Sequence, residues 1–179
     1  LRIHHDTIVG AGLAPAVYTQ VQDRGKPCPY NFGVIYLRPA RAEDAPTIKA
    51  MTREARLDPT SLNWRHFTIA EGEGQIVGIA QVKPHADCRE FGSFVVRREW
   101  RSRGVGKLLI ETLLAREVGD VFLVCHERMV PYYLNYGFAL IGFKAAPRTL
   151  QLKLAAAFLF RAFGVRVVAM KRGRAVASA

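Results

Sequence analysis

Cysteine is scarce in this chain of 179 residues: Cys28, Cys88 and Cys125 lie far apart and form no CxxC pair. An odd, scattered set of thiols argues against a disulfide framework or a structural zinc site, and fits a reducing cytoplasm. No metal is expected. Long apolar runs are missing too. Nothing approaches the roughly 18–20 uninterrupted apolar residues of a membrane span, and the longest stretch, 154–160, is bracketed by Lys153 and Arg161. The opening residues, interrupted by His4, His5 and Asp6, do not read as a secretory signal. Acidic residues are few and stop early. Asp and Glu number 15 against 26 Lys and Arg, giving a net charge of +11, and none follows Glu127. Such a one-signed tail attracts nucleic acid, anionic lipid or an acidic partner. It equally serves solubility and attraction for a polyanionic cofactor. The interleaving of aromatic and basic residues that stacks bases is lacking, so no nucleic acid is expected.

What is present suits one domain. Half the residues are hydrophobic, enough for a core without staples. Residues 1–33 carry scattered Gly and Pro and read as an irregular extension. A domain is expected over 34–171 and a frayed basic tail over 172–179. The patterns predict strands at 34–37, 67–71, 76–82, 90–96, 121–125, 138–143 and 165–170. Helices are predicted from Asp44 to about Arg56, from the 101–106 turn to about Ala115, over 128–136 and over 150–163, with a short one near 62–64. The fold class is therefore α/β (α+β): a mixed, mostly antiparallel central sheet of about seven strands with helices on both faces.

The most informative segment is Arg101-Ser102-Arg103-Gly104-Val105-Gly106, between a strand and a helix. Helix N-termini expose unpaired N–H groups at the positive end of the macrodipole and bind phosphate. Gly104 and Gly106 allow close backbone approach, and Arg101 and Arg103 add charge-assisted donors. The loop is neither a P-loop (GxxxxGK[ST]) nor a dinucleotide fingerprint (GxGxxG). On its own it indicates only an anion at a helix start.

Its surroundings narrow that anion. The run 90–96, Glu-Phe-Gly-Ser-Phe-Val-Val, followed by Trp100 and the loop, resembles the central motif of the GNAT superfamily of N-acetyltransferases. Tyr132-Tyr133-Leu134-Asn135-Tyr136-Gly137-Phe138 resembles that family's aromatic-Tyr-x-x-x-Gly-Phe signature. The resemblance covers roughly 34–144. It implies a GNAT-like acyl-CoA fold, acetyl-CoA as acyl donor, and direct transfer to a primary amine in a ternary complex. Phe94, Val95 and Val96 would contact the pantetheine arm through their backbone, and Arg101, Ser102, Arg103, Gly104, Val105 and Gly106 would cradle the pyrophosphate. His126 stands where many members place a cofactor-contacting asparagine; it either donates similarly or caps the following turn.

Catalysis needs a neutral amine and a proton for the leaving thiolate. Tyr133 matches the family's acid, or else packs its ring on the sheet. Glu90 matches a base of some members, or else pairs with an arginine such as Arg89 or Arg97; Glu71 is a further candidate. The acceptor, a small-molecule or protein amine, is not legible. An acyl-CoA sensor without turnover, or binding of a partner or nucleic acid through the basic region, are the alternatives. Residues 150–163 either contact a membrane surface or pack on the sheet or on a second subunit of a homodimer.

Overall fold

The computed structural model describes residues 34–159, 164 and 166–173, with the backbone of 17–19. Contacts gather into two compact units, Leu1–Gln81 with Ser93–Ile110 and Val82–Gly92 with Glu111–Ala179.

In the first unit, strands β1 (Val17–Thr19), β2 (Ile35–Pro39), β3 (Phe67–Gly72) and the part of β4 (Gln75–Pro84) up to Gln81 pair in that order, all antiparallel. The β3–β4 connection is a two-residue turn with Glu73 at φ 53° and Gly74 at φ 72°, the left-handed pair whose twist suits a hairpin. Helix α1 (Ala45–Glu54) carries Pro46 in its first turn, where the missing N–H costs nothing. Asp44 accepts from the Arg41 backbone N–H at 2.7 Å. Ile48 and Met51 of α1 then meet Phe67, Ile69 and Ile79 of the strands in a closed core. Burying each such side chain is worth about 1.5–3 kcal/mol.

The second unit holds the start of β5 (Arg89–Val96), then β6 (Val121–His126), β7 (Ala139–Ile141) and β8 (Val167–Arg172), in the order β5-β6-β8-β7. β5 and β6 are parallel and the other two pairings antiparallel, so the strands are mixed as the pattern predicted. The short α3 (Val130–Leu134) and the longer α4 (Arg148–Phe158) belong here. Leu150 of α4 packs with Ala146 and Ala169, with Leu154 against them, whereas Leu152 and Phe158 are exposed. The remaining helix, α2 (Val105–Ala115), begins in the first unit and ends in the second.

Several boundaries moved for local reasons. The expected helix 128–136 divides into a 3-10 turn at Glu127–Met129 and α3, with Pro131 in the first turn of α3, where its missing N–H costs nothing. α3 ends at Leu134 with Asn135 as its C-cap, short of the expected 136, and Gly137 follows in the turn at φ 79°. The strand expected at 138–143 is only Ala139–Ile141, since a 3-10 turn follows at Phe143–Ala145. The short helix near 62–64 is a 3-10 turn at Trp64–His66, capped by the Asn63 side chain. An eighth strand, β1, comes from the extension expected to be irregular. The helix expected over 150–163 runs Arg148–Phe158; residues 160–163 lie outside the described residues, as does most of the tail. Among the described residues, no helix is long and apolar enough to cross a membrane.

Candidate functional site

The loop 101–106 sits in the first unit, where its position is built from the sheet upward. Trp100 is buried, and its ring lies so close to β3 that a Cβ on Gly72 would come 2.8 Å from Cη2. Arg97 ties the approach to β4: its N–H donates to Val77 O at 2.9 Å and its Nε to Ile76 O at 2.7 Å. Beyond the loop, Val105 and Leu109 are fully buried against β4, and Gly78 makes room for them. Within this frame Ser102 adopts φ 61° and Gly104 φ 80°. Two left-handed residues so close together turn the chain sharply into α2. Its first intrahelical bond runs from Leu108 N–H to Gly104 O at 3.0 Å, so the amides ahead of it are available to an anion.

The two arginines are held differently. Arg101 is exposed and folds back, its Nε donating to Val96 O at 3.1 Å. Arg103 stacks its guanidinium 5.2 Å from the Trp100 ring centre. Phe94, Val95 and Val96, expected to offer backbone to a ligand arm, form the second half of β5 in the same unit as the loop. Ser93, just ahead of them, has φ 48° and breaks the extended run. In the second unit, among the described residues, β5 pairs with β6 at Arg89↔Val121 and Glu90↔Phe122. Phe91 and Gly92 are outside that ladder, although β6 continues to His126.

The second unit carries the other predicted residues. Tyr133, on α3, is buried, with edge-on ring contacts to Phe91, Tyr132 and Phe138. Burial pushes its phenol up from the ordinary tyrosine range, which keeps the proton on oxygen at neutral pH. His126 caps the 3-10 turn after β6, its Nδ1 accepting from Arg128 N–H at 3.5 Å. Glu90 is buried, and Lys153 Nζ donates to both its oxygens, at 2.9 and 2.7 Å. His85 Nε2 lies 2.7 Å from Glu90 Oε2. The arginines considered as partners go elsewhere: Arg89 forms a bidentate pair with Glu117 at 2.8 Å, and Arg97 binds Ile76 O. Glu71 in the first unit accepts from Arg38 Nε at 2.8 Å.

Sequence reasoning missed His85 and Lys153. Lys153 is 63 positions from Glu90 and left no local signal. His85 could have been found from the hairpin, because a turn after Pro84 brings residue 85 back toward the start of β5. It also missed Gln81, fully buried, whose Nε2 donates to Ser93 Oγ at 2.9 Å while Oε1 has no partner. A cavity of about 780 Å³ in the second unit, lined by Ile141, Phe143, Leu154, Phe158 and Val167, touches none of the predicted site residues. Among the described residues no cluster of His, Cys, Asp and Glu has a metal-holding arrangement.

Comparison with known proteins bears on the fold. Residues 63–140 match the family model described as the acetyltransferase (GNAT) domain. No curated protein matches the chain in sequence. Among solved structures, N-acetylglutamate synthase from Neisseria gonorrhoeae, complexed with coenzyme A and N-acetyl-glutamate, is similar over 78% of this chain and 35% of its own. The TM-score there is 0.65 at 20% identity. Rv2747 from Mycobacterium tuberculosis, in complex with CoA, is similar over 76% of this chain and 98% of its own, with TM-score 0.60 and 17% identity. Ard1 from Thermoplasma volcanium gives 78% and 97%, TM-score 0.59 and 14% identity. The chain spans about a third of the length of the synthase. At these identities the likeness is one of fold.

Proposed function

Starting from a chain that carries a GNAT acetyltransferase domain, we propose that it transfers the acetyl group of acetyl-CoA directly to a primary amine. The observation that carries this reading is the α2 start, where left-handed Ser102 and Gly104 turn the chain into a helix seated on Gly78. Its amide hydrogens and nearby guanidinium groups fit a pyrophosphate. CoA in two of the similar structures supports the same donor. Arg101, Ser102, Arg103, Gly104, Val105 and Gly106 hold the diphosphate, and the backbone of Phe94, Val95 and Val96 holds the pantetheine arm. The donor supplies an activated acyl carbon; the chain's residues orient it and manage protons. Tyr133 gives its phenolic proton to the departing sulfur, and burial keeps it protonated until then. His126 Nδ1 is taken up by its cap, which leaves Nε2 as the atom to contact the donor. Glu90 supplies the carboxylate on the amine's side of the chemistry.

Isothermal titration with acetyl-CoA, followed by thiol-release screening against amines, tests the proposal. Micromolar binding and amine-dependent thiol release are expected. Absence of acetyl-CoA binding would overturn the reading, and binding without release from any amine would favour a sensor.

A further inference from the structure

The amine must lose a proton as it acylates, and the group that takes it has to be within hydrogen-bond reach. Glu90 is poorly placed to do so alone. Lys153 occupies both its oxygens and His85 shares Oε2, so no oxygen is clear of a partner. The imidazole is different. An ionised carboxylate only accepts hydrogen bonds, so His85 offers Nε2–H to Glu90, and in the neutral ring Nδ1 then carries the lone pair. Among the described residues no hydrogen bond to Nδ1 is found. The side chains of His85 and Glu90 are 17% and 6% exposed, so the pair is largely shielded from water without being sealed.

The turn bearing His85 is fixed from several directions. His85 N–H donates to Cys88 O at 2.8 Å. Asp87 accepts from the Thr149 hydroxyl at 2.7 Å and from its N–H at 3.0 Å, which pins the turn to the start of α4. One turn further along α4, Lys153 grips Glu90. The charged and titratable groups around the imidazole are Glu90 on β5, Lys153 on α4, Asp87 and Cys88 in its own turn, and Lys83 two residues upstream. Burial, then the charges of Asp87 and Glu90, push the Cys88 thiol up to about 12, so it stays neutral.

We propose that His85 is the base of the acetyl transfer, with Glu90 and Lys153 as positioning residues. The proposal rests on the acyltransferase reading above. In the step, the amine nitrogen forms a bond to the thioester carbon and the carbon–sulfur bond breaks. The amine proton passes to His85 Nδ1, and the sulfur takes the Tyr133 proton. Solvent then returns a proton from His85 to Tyr133, so the cycle closes without any further reactant. Glu90 holds the ring in the Nε2–H tautomer and stabilises the imidazolium, while Lys153 orients Glu90.

Long-range ¹H–¹⁵N NMR on the full chain, with His85 assigned by its loss in His85→Asn, reads the tautomer without any substrate. Protonation at Nε2 with a bare Nδ1 is expected, collapsing to a tautomer mixture in Glu90→Gln; an Nδ1–H tautomer in the wild type would overturn the assignment. Turnover is read by thiol release with tyramine, benzylamine and poly-L-lysine as probe amines. For whichever is acetylated, His85→Ala should lower kcat/KM by about 10²–10⁴ at pH 7. It should also lose the acidic limb of the pH profile, keep its acetyl-CoA Kd, and recover partly with added imidazole. Wild-type turnover and an intact acidic limb in His85→Ala would sink the proposal. Loss of acetyl-CoA binding by the wild type would instead sink the acyltransferase reading, and the tautomer spectrum tells the two failures apart.

Discussion

Gly78→Ala is the substitution that most directly joins the packing of the first unit to its loop. A Cβ at Gly78 would lie 2.9 Å from Leu109 Cδ1, 3.1 Å from Val105 Cγ1 and 3.4 Å from Ala70 Cβ. Carbon atoms settle at about 3.5–4.0 Å. The new methyl is therefore short by about 0.6 Å at Leu109 and about 0.4 Å at Val105. Leu109 can yield by turning its terminal methyl groups. Val105 cannot: it is β-branched, fully buried, and the first residue of α2. The first turn of the helix must move outward by a few tenths of an ångström.

Overpacking of this size costs about 1–3 kcal/mol. For a chain of this length each kcal/mol lowers Tm by about 2–4 °C, so a fall of about 2–12 °C is expected. The displaced turn is the one that presents amides to the pyrophosphate. Hydrogen bonds to charged groups contribute about 1.5–3 kcal/mol each, and misalignment that forfeits about 1 kcal/mol weakens acetyl-CoA binding about fivefold. Calorimetry and titration on the same preparation read both effects. Gly119→Ala, where a Cβ meets nothing within 4 Å, is the control and should change neither. An unchanged Tm in Gly78→Ala would refute the packing argument. A lowered Tm with unaltered acetyl-CoA affinity would refute the claim that α2's seat sets the loop.

Gly104→Asp should raise the acetyl-CoA Kd at least about tenfold by titration. It puts a side chain on a residue at φ 80°, at about 1–2 kcal/mol, and sets a carboxylate against phosphate. Tyr133→Phe should leave the acetyl-CoA Kd within about twofold and reduce kcat about a hundredfold or more by thiol release, as expected of a lost general acid. Arg38→Met should cost about 3–5 kcal/mol in denaturant melts, because Arg38 is bidentate to the buried Asp44 at 2.7 and 3.0 Å. The Arg38 guanidinium, above all, holds the Asp44 carboxyl below the usual range. Its stabilisation is complete above the unfolded value of about 3.9 and is lost as pH falls through the lower folded value. Wild-type melts should therefore decline with acid over a window that Arg38→Met lacks.

Local chemistry was legible in the sequence, and distant pairing was not. The 101–106 loop could be read because its turn into α2 needs glycine or a left-handed residue at fixed places. The β3 and β4 strands showed themselves through apolar residues on a core face. β1 left no such trace, since an edge strand pairs through backbone groups and its side chains need no pattern. The Gly78 contact was invisible because it joins a strand to a helix that begins 27 residues later (105 − 78). The grip of Lys153 on Glu90 is longer still in sequence, and it changed the part assigned to that carboxylate more than any motif did.

Folding also alters the meaning of the basic C-terminal stretch. Read linearly, everything after Glu127 is positive and looks like a patch for a polyanion. Folding brings several of those cations back onto acids from earlier in the chain. Lys153 meets Glu90, Lys171 meets Asp120 at 2.7 Å, and Arg166 stands 3.8 Å from Glu127. Arg172 turns its guanidinium to Leu114 O at 3.4 Å. The exposed pairs among these contribute only about 0–1 kcal/mol each to stability, but every one of them removes a positive charge from the outward field. What remains for a polyanion in this stretch is a smaller set that includes the exposed Lys144 and Arg148. Any binding through it should then show a shallower salt dependence than a count of basic residues implies, because the slope follows the number of phosphates neutralised. A charge run along a chain becomes a patch only where the fold leaves its counter-charges elsewhere, and here the fold returns an acid to Lys153, Arg166 and Lys171.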